Sequence, residues 1–332
     1  MKRVMKRRLP SAARSAALAL VLVMTCLMPA RAQSPERVYR LGILALTAGS
    51  ERGIREVTLP ELAKLGFVEG RNLVLDGRSG AVAALPGLAS ELLATRPDAI
   101  ITFGGRPTIA MRAATSSVPI VMYTDNPVAL GLAASFARPG GNVTGVAIMV
   151  LELHGKRLEL LLEAAPAVRR VAVLLNTHSP SMTEAERIMR VVAASAGIEL
   201  IVFTAADAGD YPSAFAAMRA AGAEALVIGS DPRFAADAAP LADIARAARL
   251  PTSCEWPGNT RDGCLLGYGP ETTALRRRMA HQLARIFRGA APGEMPIEQP
   301  TNFELAINLA TARALGLTIP PALLARADEV IE

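Results

Sequence analysis

Apolar runs of strand length alternate with segments of helical period along most of the chain, and the alternation occurs twice. The runs lie at 39–46, 72–75, 99–103, 118–123, 171–176, 200–203 and 225–228. Helical spacing of apolar residues marks 59–65, 85–95, 156–164, 182–196 and 211–221. Short, nearly unbroken apolar runs suit strands buried on both faces, and strand–helix–strand repetition means parallel sheets built from βαβ units. The first set runs from about 39 to 146 and the second from about 171 to 268, with a turn at 138–145 and a helix starting near Glu152 between them. Two α/β lobes are the economical reading, since a single doubly wound sheet would need about eight strands in one layer. The C-terminal part returns to helix. Residues 271–288 place Leu275, Met279, Leu283 and Ile286 at helical spacing, with Arg276, Arg277, Arg278, Arg285 and Arg288 read as a solvated face. A Gly/Pro-rich connector covers 289–300, an amphipathic helix is expected at 303–315 with Gly316 as its cap, and a last short helix ends at Ala327.

The first 32 residues read as a cleaved export signal rather than part of the fold. They combine a basic start, an apolar core at 16–28 and the small-x-small ending Ala30-Arg31-Ala32. The core is short of the ~20 residues a spanning helix needs. Cys26 leaves lipid anchoring as an alternative to simple secretion into a periplasmic space. The leader holds seven of the 36 Lys+Arg and none of the 30 Asp+Glu, so the mature chain carries 29 against 30, a net of −1. Nucleic-acid binding thereby loses its compositional support. Cys254 and Cys264 remain, either as a disulfide closing the loop between them or as two buried thiols. His154, His178 and His281 are scattered without ligand spacing, so no metal is expected.

Ligands of open α/β sheets bind just beyond the carboxyl ends of the strands. Polar groups gather at those ends: Thr47, then Gly104-Gly105-Arg106, Thr124-Asp125-Asn126, Asn176-Thr177-His178-Ser179, Ser230-Asp231 and Gly267-Tyr268-Gly269. Converging in one cleft, they would form a site for a small polar molecule. Thr47, Arg106, Asp125, Asn126, Asn176, Asp231 and Tyr268 are the candidate ligand-binding residues. Asp125, Asp231 and Asn176 are equally plausible as turn or cap residues. Trp256 is either a wall of the cleft or a local anchor. No Gly-x-Ser-x-Gly elbow, phosphate loop or Gly-x-Gly-x-x-Gly pattern is present, so neither catalysis nor a cofactor is expected.

Three stretches carry a resemblance: Gly66-Phe67-Val68-Glu69-Gly70-Arg71-Asn72, Arg138-Pro139-Gly140-Gly141-Asn142-Val143-Thr144-Gly145, and the tail from Gln299-Pro300-Thr301-Asn302-Phe303-Glu304-Leu305 through Leu315-Gly316-Leu317-Thr318-Ile319-Pro320-Pro321 to the C-terminus. With these the chain resembles the substrate-binding proteins of ABC importers, in the group that includes tryptophan- and tyrosine-type receptors. The resemblance implies a type I periplasmic-binding-protein fold, two Rossmann-like lobes with parallel sheets and three crossovers, closing on a ligand about a hinge. It implies an N-terminal lobe of 38–147 plus 271–291 and a C-terminal lobe of 148–270 plus 294–332, with the last strand and helix returning to the latter. It further implies a monomeric, non-enzymatic receptor of a small polar or aromatic, amino-acid-like ligand, with a membrane permease and ATPase as partners; a sensor for a membrane signalling protein is the alternative. Gly105 and Arg106 depart from the Ser/Thr and Pro usual in relatives. Thr124-Asp125-Asn126-Pro127 is one residue shorter than their Ser-x-Gly-Asp-Pro and places Asn126 where an Asp is usual, so Asp125 would have to take over any pairing with a ligand ammonium.

Overall fold

The computed structural model describes residues 37–332; the expected leader, with Cys26, lies outside the described residues. Two sheets organise the chain. The first contains β1 (Tyr39–Ala45), β2 (Leu73–Ser79), β3 (Ala99–Phe103), β4 (Ile120–Thr124) and β5 (Val143–Ala147), in the order β2-β1-β3-β4-β5 and parallel throughout. The second contains β6 (Arg170–Asn176), β7 (Glu199–Ala205), β8 (Ala225–Ile228), β9 (Thr252–Cys254), β10 (Leu266–Pro270), β11 (Phe303–Asn308) and β12 (Glu329–Ile331), in the order β12-β11-β10-β9-β8-β6-β7. Only the β10–β11 pair is antiparallel. Every residue of β3 and β4 is buried, as expected of central strands covered by helices on both faces.

The helix Thr272–Phe287 follows the second sheet in the chain but inserts Leu275, Met279, Leu283 and Ile286 into the apolar core built on β1, β3 and β4. The chain therefore crosses between the sheets three times: after β5, after β10, and again before β11. The returning segment lies along β5 on its way, with Ala147 N donating to Glu298 O (2.8 Å) and Glu298 N to Gly145 O (3.0 Å).

The stretch Arg138–Gly145 owes its composition to this edge. Gly140 and Gly141 have φ of 73° and 61°, the left-handed region that glycine adopts without strain. Asn142 is buried; its amide donates to Thr115 O and Val118 O and its oxygen accepts from Arg112 Nη1 (2.7 Å). Thr144 Oγ1 donates to Met295 O (3.0 Å). Gly145 has φ 141°, and a Cβ there would collide with the backbone of Met122 on β4. These contacts stabilise the β4–β5 edge.

The tail differs from the helix expected at 303–315. Residues Phe303–Asn308 form β11, and the helix begins only at Leu309. Apolar residues occupy both faces of this short run, so local periodicity does not separate strand from helix; pairing with β10 and β12, distant in sequence, decides it. β5, β9, β10 and β12 are also strands outside those apolar runs. Cys254 and Cys264 are joined in a disulfide, Cα–Cα 6.3 Å, which settles the two alternatives for this pair.

Two stability tests follow. Gly145→Ala should cost about 2–3 kcal/mol and lower Tm by several degrees in thermal unfolding, because Met122 backbone must move. Reduction of the disulfide should cost about 2–3 kcal/mol for so short a loop, and the Cys254→Ala/Cys264→Ala variant should unfold at a Tm that no longer responds to reductant.

Candidate functional site

The carboxyl ends of β1, β3 and β4 face those of β6, β8 and β9 across a cleft of about 820 Å³, within the size range of small-molecule sites. Thr47, Arg106, Asp125, Asn176 and Asp231 line it together. Asn126 and Tyr268 lie outside the lining. Asn126 Oδ1 accepts from Ala129 N (3.1 Å), capping the turn after β4. The Tyr268 ring packs on the second lobe's core and stacks on Phe303, centroids 6.3 Å apart. Trp256 serves both of its expected roles, lining the cleft and packing on the first lobe's core.

The polar residues hold one another in place. Asn176, buried at the end of β6, donates from Nδ2 to Asp231 Oδ1 (3.0 Å) and accepts His178 N at Oδ1 (2.8 Å). Asp231 is the N-cap of the helix Pro232–Ala236 and accepts Arg233 N (2.8 Å). Asp125 Oδ1 accepts Leu151 N (3.0 Å), fixing the first crossover to the end of β4. Thr47 pairs its hydroxyl with Ser50 (3.2 Å). Arg106 Nε donates across the cleft to His178 O (2.7 Å). Beside it, Cβ atoms on Gly104 or Gly105 would press on Pro232 and Pro180 of the other lobe at 3.0 Å. The walls therefore meet closely along this edge, and the two glycines permit it.

Beneath the cleft lies Arg157, fully buried in the helix Leu153–Ala164. Its guanidinium donates to Tyr268 O (2.7 Å), Val150 O (3.1 Å), Ser230 Oγ (2.7 Å) and Glu255 O (3.2 Å). One turn earlier, His154 presents Nδ1 to Val150 O (2.9 Å) and accepts Ser230 N at Nε2 (3.3 Å), which sets its tautomer as neutral Nδ1–H. Burial, aided by the charge of Arg157, pushes the imidazole down to about 3, so it carries no charge at neutral pH.

Two carboxyl groups, Glu255 and Asp125, lie in the field of this cation, and Asp231 lies close to Glu255. Burial pushes Glu255 up to about 8, opposed by Arg157 and reinforced by Asp231 and Asp125. Burial also raises Asp125 to about 6 against its bond from Leu151 N, and it raises Asp231 against the bonds from Arg233 N and Asn176. The mutual repulsion of acids in a low-dielectric cleft is relieved by protons or by a cation. Among the described residues no group of three or more His, Cys, Asp and Glu is placed to hold a metal ion. Arg157, Glu255 and His154 escaped the sequence reading, because nothing local distinguishes a buried helix arginine from a solvated one.

Comparison with known proteins places this architecture. A structure of a conserved domain protein from Vibrio cholerae shares 25% identity and a TM-score of 0.82, covering 89% of this chain and all of the other. A domain from Streptococcus pneumonia in complex with L-Trp shares 20% identity and a TM-score of 0.80 over the same shares. A tyrosine-binding protein of Clostridioides difficile is 21% identical over 255 residues, 76% of this chain and 73% of the relative. The fold is that of the two-lobed periplasmic binding proteins. The model of the family described as ABC transporter substrate binding protein matches residues 51–331, and the chain belongs to that family.

Proposed function

We propose that this protein is an extracytoplasmic receptor that encloses a small amino-acid-like solute between its lobes and delivers it to a membrane permease driven by an ATPase. The observation that carries the reading is the convergence of Asp125, Asp231 and Glu255 on a cleft whose walls already touch through Arg106 and His178. Partly uncompensated carboxyls match an α-ammonium, and opposed walls allow a ligand to bias closure through its differential affinity for the closed state. The tryptophan and tyrosine named for the two relatives support an aromatic side chain in the remaining space. The basic start and small-x-small ending of the leader support export to the periplasm.

Thermal unfolding against amino acids, aromatic acids, nucleosides and sugars tests this. A ligand at a hundred times its Kd should add about 2.7 kcal/mol and raise Tm by several degrees; a response confined to sugars or nucleosides would defeat the amino-acid reading. Asp125→Asn and Glu255→Gln should each weaken binding of an ammonium ligand by about tenfold or more while leaving the fold intact, because each keeps the shape of the side chain but can no longer ionise against the ligand.

The sign of the pH dependence is fixed by the raised carboxyls. In the empty cleft Glu255 (about 8) and Asp125 (about 6) hold protons that an ammonium must displace. Affinity should therefore rise from pH 5 to pH 8, by up to about a hundredfold per unit below pH 6, where both groups release protons, and about tenfold per unit from there to pH 8, and level off above. Calorimetry in buffers of different ionisation enthalpy should register proton release at pH 7; proton uptake would contradict the assignment.

A further inference from the structure

The acids account for a cation, yet another part of the cleft wall is built from donors that have nothing to donate to. Tyr123, the penultimate residue of β4, is 5% exposed, and its hydroxyl has no hydrogen-bond partner among the described residues. The neighbouring Thr124 Oγ1 is also buried without a partner. Over the Tyr123 ring, 5.6 Å from its centroid, lies the guanidinium of Arg276 from the second turn of the helix Thr272–Phe287. Its Nε is buried and unpartnered. All three residues line the cleft.

Gly53 makes room for this arrangement, since a Cβ there would overlap Nε and Cζ of Arg276. The nearby Glu271 does not neutralise the arginine by direct contact: its two carboxylate oxygens accept Thr273 N and Ala274 N (2.8 Å each) as the helix cap. Burial holds the Tyr123 phenol up to about 12, so it remains a donor at any physiological pH. Buried donors left unpaired are costly, and a guanidinium with a phenol beside it is shaped for a planar oxyanion.

We propose that Arg276, Tyr123 and Thr124 form an oxyanion subsite that takes the carboxylate of the ligand, so the cleft selects molecules bearing both a carboxylate and an ammonium. This rests on the receptor reading above. Carboxylate is favoured over phosphate because Glu255 and Glu271 share the neighbourhood of Tyr123 with Arg276, surroundings that oppose a dianion.

The test is calorimetric titration of the wild-type chain and of Arg276→Gln with L-tyrosine, tyramine, 3-(4-hydroxyphenyl)propionate and phenyl phosphate. Wild type should prefer L-tyrosine to tyramine by at least about tenfold. Arg276→Gln should weaken L-tyrosine and the propionate about ten- to hundredfold and leave tyramine unchanged. Gly53→Ala, at φ −67° and free of backbone strain, should reproduce the loss by pushing the guanidinium aside while keeping its charge, and Tyr123→Phe should give a smaller loss in the same direction. Tyramine binding as tightly as L-tyrosine, or a preference that survives Arg276→Gln, overturns the subsite and leaves the receptor standing. Phenyl phosphate binding more tightly than the propionate, with loss in Arg276→Gln, overturns the choice of carboxylate. No binding of any probe by wild type overturns both readings.

Discussion

One buried guanidinium sets the conditions for the rest of the cleft. Arg157 gives its hydrogen bonds to neutral oxygens from the first crossover, β10, the β8 exit and the segment after β9. A single side chain thus gathers three backbone carbonyls and one hydroxyl from four separate segments of the chain. Because its donors are engaged by neutral oxygens, its charge acts on Asp125 and Glu255 through space rather than by direct pairing. A buried cation without a bonded counter-ion is expensive to maintain, and nearby carboxyls that ionise only in part compensate it imperfectly. Full ionisation of Asp125 and Glu255 would complete that compensation. His154, held neutral on the same helix face, adds bonds to this junction without adding charge.

The close contact between the lobes depends on a different constraint, the absence of side chains. Gly104 and Gly105 let the end of β3 come against Pro180 and Pro232, and the close approach brings Arg106 within reach of a main-chain carbonyl on the facing lobe. A carbonyl partner is indifferent to the side chain at 178, so this contact depends on the Arg106 guanidinium and on the backbone position of 178. Two prolines meeting two glycines give a contact with little side-chain entropy to lose.

Much of this was legible before any coordinates. The doubled alternation of apolar runs implied two α/β lobes, and the rule that ligands bind beyond strand ends singled out Thr47, Arg106, Asp125, Asn176 and Asp231, all of which reach the cleft wall. That rule locates a loop but not the direction of each side chain within it. Hence Asn126, one residue past Asp125, turns away to cap a turn, and Tyr268 contributes its carbonyl rather than its ring. Arg157, Glu255 and Arg276 were illegible for a different reason. Each becomes distinctive only through burial by elements far away in the chain, and their local surroundings read as ordinary helix or loop. β11 was misread for the same cause, because its partners β10 and β12 lie outside any local window.

The placement of the helix Thr272–Phe287 bears on how such a chain is born. Its apolar face finishes a core whose strands end at Ala147. A chain emerging from the ribosome in order therefore shows its first five strands long before the piece that covers them has been made. During that interval the intermediate exposes a face meant for Leu275, Met279 and Leu283. Nascent chains in this condition are prone to stray association, and completing the core requires closing a loop of more than a hundred residues, a slow event. The first lobe is thus completed only after most of the second has been made, and the same crossover that joins the lobes also times their assembly.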